Sequence, residues 1–184
     1  MPTVIRNVIL SPEEYLEGEK YSDIKHEYEN GRIIAMVGAS RAHNTIQVNL
    51  TALLHHHLRA TPCRVFSSDM KVRIDNTFYY PDLSIVCREY QSHDYYVEEP
   101  ILVIEVLSPT TEQRDRTIKR LTYQQLPGLK EYVLVAQKRM LVDIYRRSGD
   151  GWDLEQYQEG DEIRFRSIDL ALSIGTIYEN VPLP

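Results

Sequence analysis

Apolar residues recur along the chain in patterns that predict alternating helices and strands. Residues 42–59 carry the longest helical pattern, because apolar side chains repeat there every three or four positions. A second helix is predicted over residues 111–126, ending at Pro127-Gly128. The stretches with strand character are 64–67, 70–74, 78–80, 83–87, 101–107, 131–136 and 141–146. These elements predict an α/β fold in which a mixed sheet carries helices on both sides.

Three short motifs predict local structure. The sequence from Ser11 to Glu14 forms a capping box with proline at the first helical position, so Tyr15 and Leu16 are expected to face inward. Asn30-Gly31 lies between two stretches of strand character and predicts a hairpin. Asp75-Asn76 predicts a turn between two further strands.

Composition limits the class of protein. The 184 residues are 42% hydrophobic and 26% charged, and without a linker or repeat they predict one soluble domain. The 21 basic and 27 acidic residues give a net charge of −6, which argues against a protein that coats DNA nonspecifically. A metal-dependent nuclease stays compatible with this charge, since it carries its own carboxylates.

Cysteine content and hydropathy point to a cytoplasmic protein. Cys63 and Cys87 are too few for a disulfide scaffold, so they are predicted to be reduced, small core residues. No signal peptide is recognised at the start, and no apolar run reaches the roughly 18 to 20 residues of a membrane span.

Two acids lie in or beside apolar strands. Glu105 interrupts the apolar run 101–107, which predicts a central strand buried on both faces. A buried carboxylate is costly unless it is paired with a lysine or arginine or binds a metal, and the pattern alone leaves both alternatives open. Asp82 stands at the start of the strand 83–87. Because converging carboxylates repel each other, a cation such as Mg²⁺ or Mn²⁺ between them is a plausible partner.

The helix predicted over 111–126 carries the next candidates. Thr111, Asp115, Lys119 and Tyr123 are spaced by four and predict one polar stripe, while Ile118, Leu121 and Leu126 are expected to serve the buried side. If the helix packs back over the sheet, Lys119 lies beside Glu105; the alternative is a surface pair with Asp115.

Two groups of basic residues have less specific interpretations. Arg114, Arg116, Lys119 and Arg120 form a local positive patch that is either a solvated face or a contact to phosphates. His55-His56-His57 cannot share one metal ion, because consecutive helical residues point about 100° apart.

A set of motifs resembles a known family. Pro81-Asp82 is followed, 23 positions after Asp82, by the sequence EVLSPTT that begins at Glu105, and then by Asp115-Arg116, Lys119 and Tyr123. This combination resembles the Uma-type restriction endonucleases of bacteria, within the PD-(D/E)XK nuclease superfamily. The likeness runs from Glu27 to residues 131–132. It implies one restriction-endonuclease-like domain over residues 1–184, with a central mixed β-sheet flanked by helices.

The resemblance also implies roles for individual residues. Asp82 and Glu105 would bind Mg²⁺ or Mn²⁺, with the backbone carbonyl of Val106 as a further ligand. The standard motif has lysine two residues after the second acid, where this chain has Leu107. Lys119 on the following helix would take that lysine's place.

Three further polar residues match positions of the family: Glu27, His43 and Asp69. Glu27 resembles an early acid near the metal, His43 a recurrent histidine, and Asp69 an acid before a strand. A strand-end salt bridge, a helix-start hydrogen bond and a turn cap are the respective structural alternatives.

The resulting functional hypothesis is a Mg²⁺-dependent endonuclease that cuts DNA. Its candidate catalytic residues are Asp82, Glu105, Lys119, Glu27 and His43. Lys119 would assist the attacking water, and a homodimer would suit cleavage of both strands. Two alternatives remain: a nucleic-acid-binding module without catalysis, and a structural protein in which Glu105 forms a buried ion pair.

Overall fold

The computed structural model describes residues 9–87 and 93–183. The helices are α1 (Pro12–Glu19), α2 (Arg41–Leu58), α3 (Glu112–Arg114), α4 (Arg120–Tyr123) and α5 (Ile174–Ile177), with a π-helical turn at Asp115–Lys119 and a 3₁₀ turn at Arg166–Ile168. The strands are β1 (His26–Glu29), β2 (Arg32–Ala35), β3 (Arg64–Ser67), β4 (Lys71–Ile74), β5 (Thr77–Tyr79), β6 (Leu83–Val86), β7 (Tyr96–Val97), β8 (Leu102–Leu107), β9 (Glu131–Ala136), β10 (Leu141–Ser148), β11 (Gly151–Gln158), β12 (Glu162–Phe165) and β13 (Leu170–Ser173).

The local motifs fold as the sequence predicts. Ser11 caps α1 through a reciprocal pair of bonds with Glu14, and Tyr15 is buried. β1 and β2 form a hairpin in which Asn30 (φ 46°) and Gly31 (φ 95°) both take positive φ, the geometry that an Asn-Gly hairpin turn favours. β4 and β5 form a second hairpin around Asp75-Asn76.

The strands divide among three sheets rather than the single expected sheet. The central sheet has the order β11-β10-β9-β8-β6-β3 and is mixed, because β8 and β9 run parallel while its other neighbours are antiparallel. A second sheet has the order β2-β1-β5-β4-β7, and β12 pairs with β13. β4 and β5 leave the central sheet because β5 pairs with β1, Tyr28 opposite Phe78.

Helices cover both faces of the central sheet, as expected. On β8, Leu102, Ile104 and Val106 pack in a core that also contains the buried stripe of α2. Val103 and Leu107 belong to the opposite core, which contains Tyr123 of α4. Since side chains alternate along a strand, Glu105 points to this second face, beneath the α3–α4 segment.

The α3–α4 segment buries Leu126 as expected but not Ile118 and Leu121. Ile118 and Leu121 are 54% and 56% exposed, whereas Asp115, Lys119 and Tyr123 are buried. The prediction of an apolar buried side is therefore wrong at Ile118 and Leu121. The stripe faces inward because the sheet beneath it presents Glu105, which a lysine can pair with.

The two cysteines also differ from the expectation. The register of β3 against β6 pairs Arg64 with Val86, and one step further out Cys63 lies opposite Cys87. The structure joins the two as a disulfide, so the prediction of two reduced thiols is wrong. Within the described residues, no helix is both long and apolar enough to cross a membrane.

Candidate active site

Asp82 and Glu105 are brought together by strand pairing. β6 runs antiparallel to β8 with Leu83 opposite Ile104, so one further step of the register sets Asp82 opposite Glu105. Residues opposite each other in an antiparallel pair have their side chains on the same face. Both acids line one cavity of about 760 Å³ at the carboxyl end of β8.

The carboxylate of Asp82 is held from two sides. The Val106 backbone N–H donates to its Oδ2 over 2.7 Å. His43, in the first turn of α2, places its Nε2 3.2 Å from the same oxygen. Gln47 of α2 donates to the Asp82 backbone carbonyl over 3.2 Å. The aspartate is thus fixed between β8 and α2.

Lys119 is surrounded by carboxylates. Its Nζ lies 2.8 Å from Glu27 Oε1, 2.9 Å from Glu105 Oε1 and 3.5 Å from Asp115 Oδ1. These acids come from β1, β8 and the π-helical turn, which itself runs from Asp115 to Lys119. The expectation that Lys119 lies beside Glu105 is confirmed, and the alternative of an exposed Asp115–Lys119 pair is wrong because both side chains are buried.

Arg114 forms a second bridge to β1. It pairs with Glu27 and, over 2.5 Å, with Glu29 Oε1, which also accepts a bond from the Tyr79 hydroxyl. Glu27 therefore binds two cations, as its strand-end salt-bridge alternative requires. It remains a wall of the cavity.

The positive patch predicted on this helical segment is largely neutralised. Arg114 is bound to two glutamates, and Arg116 pairs with Asp143 and Glu112. Arg120 contacts Gln124 and lies over the Tyr145 ring. Because both arginines form ion pairs with acids of this chain, Arg114 and Arg116 do not form the solvated face that their spacing suggested.

Negative charge is in excess around Lys119. Burial raises the pKa of the Glu105 carboxyl well above its usual value; Lys119 opposes this rise, and Asp115, Asp82 and Glu27 add to it. Burial also raises the pKa of Asp115. Burial alone would lower the pKa of Lys119, but Glu105, Glu27 and Asp115 together raise it well above its usual value. Lys119 is therefore a permanent ammonium group at neutral pH.

Two further polar residues, Ser40 and Gln137, line the cavity, and the sequence did not predict them as site residues. Gln137 Nε2 donates to the Leu107 carbonyl over 2.8 Å, and its Oε1 accepts a bond from Ser40, the residue that caps α2. Gln137 thereby ties the carboxyl ends of β8 and β9 to α2. Its position directly after a predicted central strand was a usable signal, because polar residues at strand ends often line sites.

The other predicted residues lie apart. Asp69 is exposed and does not line the cavity, although its partner Lys25 does. His57 contacts the Ile168 carbonyl, while His55 and His56 are exposed. Within residues 9–87 and 93–183, no group of three or more His, Cys, Asp or Glu side chains is placed so that it could hold a metal ion.

This fold belongs to a recognised class of proteins. The chain belongs to the Uma2 family, described as "Putative restriction endonuclease", whose model matches residues 12–175. It is 40% identical over 177 residues to "Uncharacterized protein slr1290" of Synechocystis sp., covering 94% of this chain and 93% of that protein. It is 34% identical over 172 residues to "Uncharacterized protein sll1609" of the same organism, covering 90% and 97%.

A solved structure shares the fold. The crystal structure of a putative nuclease belonging to DUF820 from Anabaena variabilis superposes with a TM-score of 0.77 at 20% identity, over 92% of this chain and 97% of that one. The restriction-endonuclease-like fold class and the family resemblance are therefore confirmed. Together they support a nuclease.

Proposed function

We propose that this protein is a Mg²⁺-dependent endonuclease that hydrolyses phosphodiester bonds of DNA. The observation that carries the proposal is the position of the Lys119 ammonium, 2.9 Å from Glu105, in the cavity that Asp82 also lines. Two acids on adjacent strands with a lysine beside them are the groups that the resemblance requires. Membership of the Uma2 family supports the same reaction class.

The residues present fit a divalent metal. Asp82, Glu105 and the carbonyl of Val106 offer hard oxygen ligands, and Mg²⁺ commonly uses only one or two carboxylates and completes its shell with water and phosphate oxygens. Because few protein ligands are then needed, a cluster of three acidic side chains is unnecessary. When bound, Mg²⁺ would lower the pKa of a water molecule and polarise the scissile phosphate.

Lys119 would act as a fixed positive charge. Its raised pKa keeps the ammonium protonated, so it is unsuited to removing a proton from water. It can instead donate hydrogen bonds to the attacking water or to the phosphate oxygens, where negative charge increases in the transition state. A long side chain from the helical segment can do this even though Leu107 occupies the usual lysine position.

Glu27 and His43 would position the reacting groups. Glu27 binds Lys119 over 2.8 Å and Arg114 on its other oxygen, so it fixes the direction of the ammonium group. His43 lies 3.2 Å from Asp82 and orients that carboxylate. Both roles predict weaker but measurable effects of substitution compared with Asp82 or Glu105.

Cleavage of supercoiled plasmid DNA in Mg²⁺ or Mn²⁺ tests the proposal. We expect Asp82→Asn, Glu105→Gln and Lys119→Met each to lower the rate by at least about 100-fold, the scale of a lost electrostatic contact in an active site. Asp153→Asn is the matched control, because it removes an exposed acid of β11 outside the cavity, and it should cut as fast as wild type. Asp82→Asn and Glu105→Gln proteins that cut at the wild-type rate would contradict the proposal.

A binding module without catalysis is the second candidate, and Leu107 at the usual lysine position favours it. This candidate predicts that the protein binds duplex DNA equally well in EDTA and in Mg²⁺, and that it never cuts. Gel-shift assays with and without metal measure this directly. Cleavage in Mn²⁺ that depends on Asp82 would exclude it.

A cytoplasmic homodimer completes the proposal. Two copies related by a two-fold axis suit cleavage of both strands of a duplex. Light scattering of the purified protein measures the mass in solution, and a mass of 21.5 kDa would contradict the dimer.

A further inference from the structure

A second cavity, of about 420 Å³, lies at the other end of the central sheet. It is lined by Lys130 and Glu131 at the start of β9, by Arg146 and Arg147 near the end of β10, and by Arg166. Glu131 is in register with Leu102, whereas Glu105 is in register with Leu134. Three residues of strand, or about 10 Å, therefore separate the two levels, and the second cavity lies away from the catalytic one.

The charges of this second cavity are not balanced. Glu131 is neutralised by Arg146, and Arg166 pairs with Glu155 over 2.7 Å. Lys130 is exposed, and neither Lys130 nor Arg147 has a carboxylate partner among residues 9–87 and 93–183. Two positive charges thus remain in excess within a chain whose net charge is −6.

Arg147 is the best-fixed of these cations. Its Nε donates to the Leu129 carbonyl over 2.8 Å, and its Nη2 donates to the carbonyls of Gln124 and Leu126 over 3.1 and 2.7 Å. Its guanidinium also lies 4.6 Å from the centre of the Trp152 ring. All these partners are uncharged, so Arg147 keeps its full charge in one orientation.

We propose that this cavity binds a phosphate group, carried by a mononucleotide or by the backbone of a nucleic-acid strand. An arginine held in place by neutral partners loses little conformational freedom on binding, and Lys130 and the 63% exposed Arg166 can close on the same anion. Arg114 and Arg116 of the α3–α4 segment differ from Arg147, because each of them is bound to two acids. The site would act in binding rather than in cleavage.

Trp152 makes the proposal directly measurable, since it is the only tryptophan in the chain. Its fluorescence is followed while sodium phosphate is added in EDTA, with sodium chloride at matched ionic strength as the blank. We expect a saturable change with phosphate and none with chloride. Isothermal titration calorimetry on the same samples measures binding even if the emission is insensitive.

Matched variants locate the binding. Lys130→Gln and Arg166→Gln should each weaken phosphate affinity about tenfold, the scale of one hydrogen bond to a charged group. Arg59→Gln removes an exposed arginine outside both cavities and should bind like wild type. Glu105→Gln should also bind like wild type, which separates this site from the proposed catalytic one.

The source of the phosphate follows from two further ligands. A nucleoside monophosphate that binds while a dinucleotide with only an internal phosphodiester does not indicates a free nucleotide, and binding of both indicates a strand backbone. The proposal is overturned if calorimetry detects no phosphate binding, if Lys130→Gln and Arg166→Gln bind as tightly as wild type, or if Arg59→Gln weakens binding equally.

Discussion

Two charge clusters lie at opposite ends of the central sheet and differ in their balance of acids and cations. The cavity cluster, formed by Glu27, Glu105, Asp115 and Lys119, has three acids within 3.5 Å of one ammonium group. The Arg146 cluster, formed by Glu131, Glu155, Arg146 and Arg166, matches two acids with two arginines. The cavity cluster lines a cavity with excess negative charge, whereas the Arg146 cluster lies beside a cavity whose excess charge is positive.

The hydrogen bonds explain the difference. Glu131 accepts bonds from the backbone N–H groups of Arg166 and Ser167, each over 3.0 Å, and Arg146 donates to Glu155 and to the Tyr157 hydroxyl. Such a network favours one structure, because removing a partner weakens the compensation of a buried charge. The cavity cluster instead has more carboxylates than cations, which is the condition under which an added metal ion is stabilising.

The largest expected difference between the clusters concerns stability in EDTA. Glu131→Gln should lower the free energy of unfolding by about 3 kcal/mol, which corresponds to a melting temperature lower by about 10 °C, because Arg146 loses its buried partner. Asp115→Asn should change it by less than about 1 kcal/mol, since Lys119 keeps Glu27 and Glu105. Urea unfolding measures both, with Asp69→Asn as a surface control. Equal losses in the two variants would show that the clusters are energetically alike.

A smaller effect is expected from metal binding. Mg²⁺ at about 100 times its dissociation constant should stabilise the wild type by about 2.7 kcal/mol, because only the native state assembles the cavity. The resulting rise in melting temperature should disappear in Asp82→Asn and persist in Glu131→Gln, whose altered acid lies in the other cluster. A rise of the same size in Asp82→Asn would mean that the ion binds elsewhere.

The parts of the fold that local chemistry determines could be predicted from the sequence. Asn30-Gly31 specifies its own hairpin, and the run around Glu105 is apolar enough to require a central strand. The proximity of Asp82 and Glu105 could be predicted because both stand in or beside buried strands. These predictions needed no knowledge of distant packing.

The parts that depend on distant partners could not. Apolar periodicity assumes an apolar interior, so it assigned Ile118 and Leu121 to the buried face when the interior at that point was Glu105. The charge run at Arg114 suggested a solvated surface because Glu29 lies 85 residues earlier in the chain. The pairing of β5 with β1, which creates the second sheet, likewise depends on chain distance rather than on local pattern.

Lys71 is a buried cation outside both charge clusters, and its substitution is expected to change stability least. It is 5% exposed, has no carboxylate partner among the described residues, and lies 5.0 Å and 5.9 Å from the ring centres of Tyr80 and Tyr95. Burial lowers the pKa of Lys71 below its ordinary 10.5; Lys25 lowers it further, whereas Glu19 opposes the change. The native state therefore binds fewer protons than the unfolded state between the lowered pKa and 10.5, and stability gains from rising pH in that window.

Lys71→Met removes this penalty but also the contact with the tyrosine rings, so its net effect near pH 7 should be a gain of at most about 1 kcal/mol. The difference in unfolding free energy between variant and wild type should move against the variant as the pH rises toward about 10, because the wild-type lysine then loses its charge. Urea unfolding at several pH values measures this, with the exposed Lys130→Met as the control whose difference stays constant. A Lys71→Met difference that is equally independent of pH would show that the aromatic rings compensate the buried ammonium as fully as the carboxylates compensate Lys119.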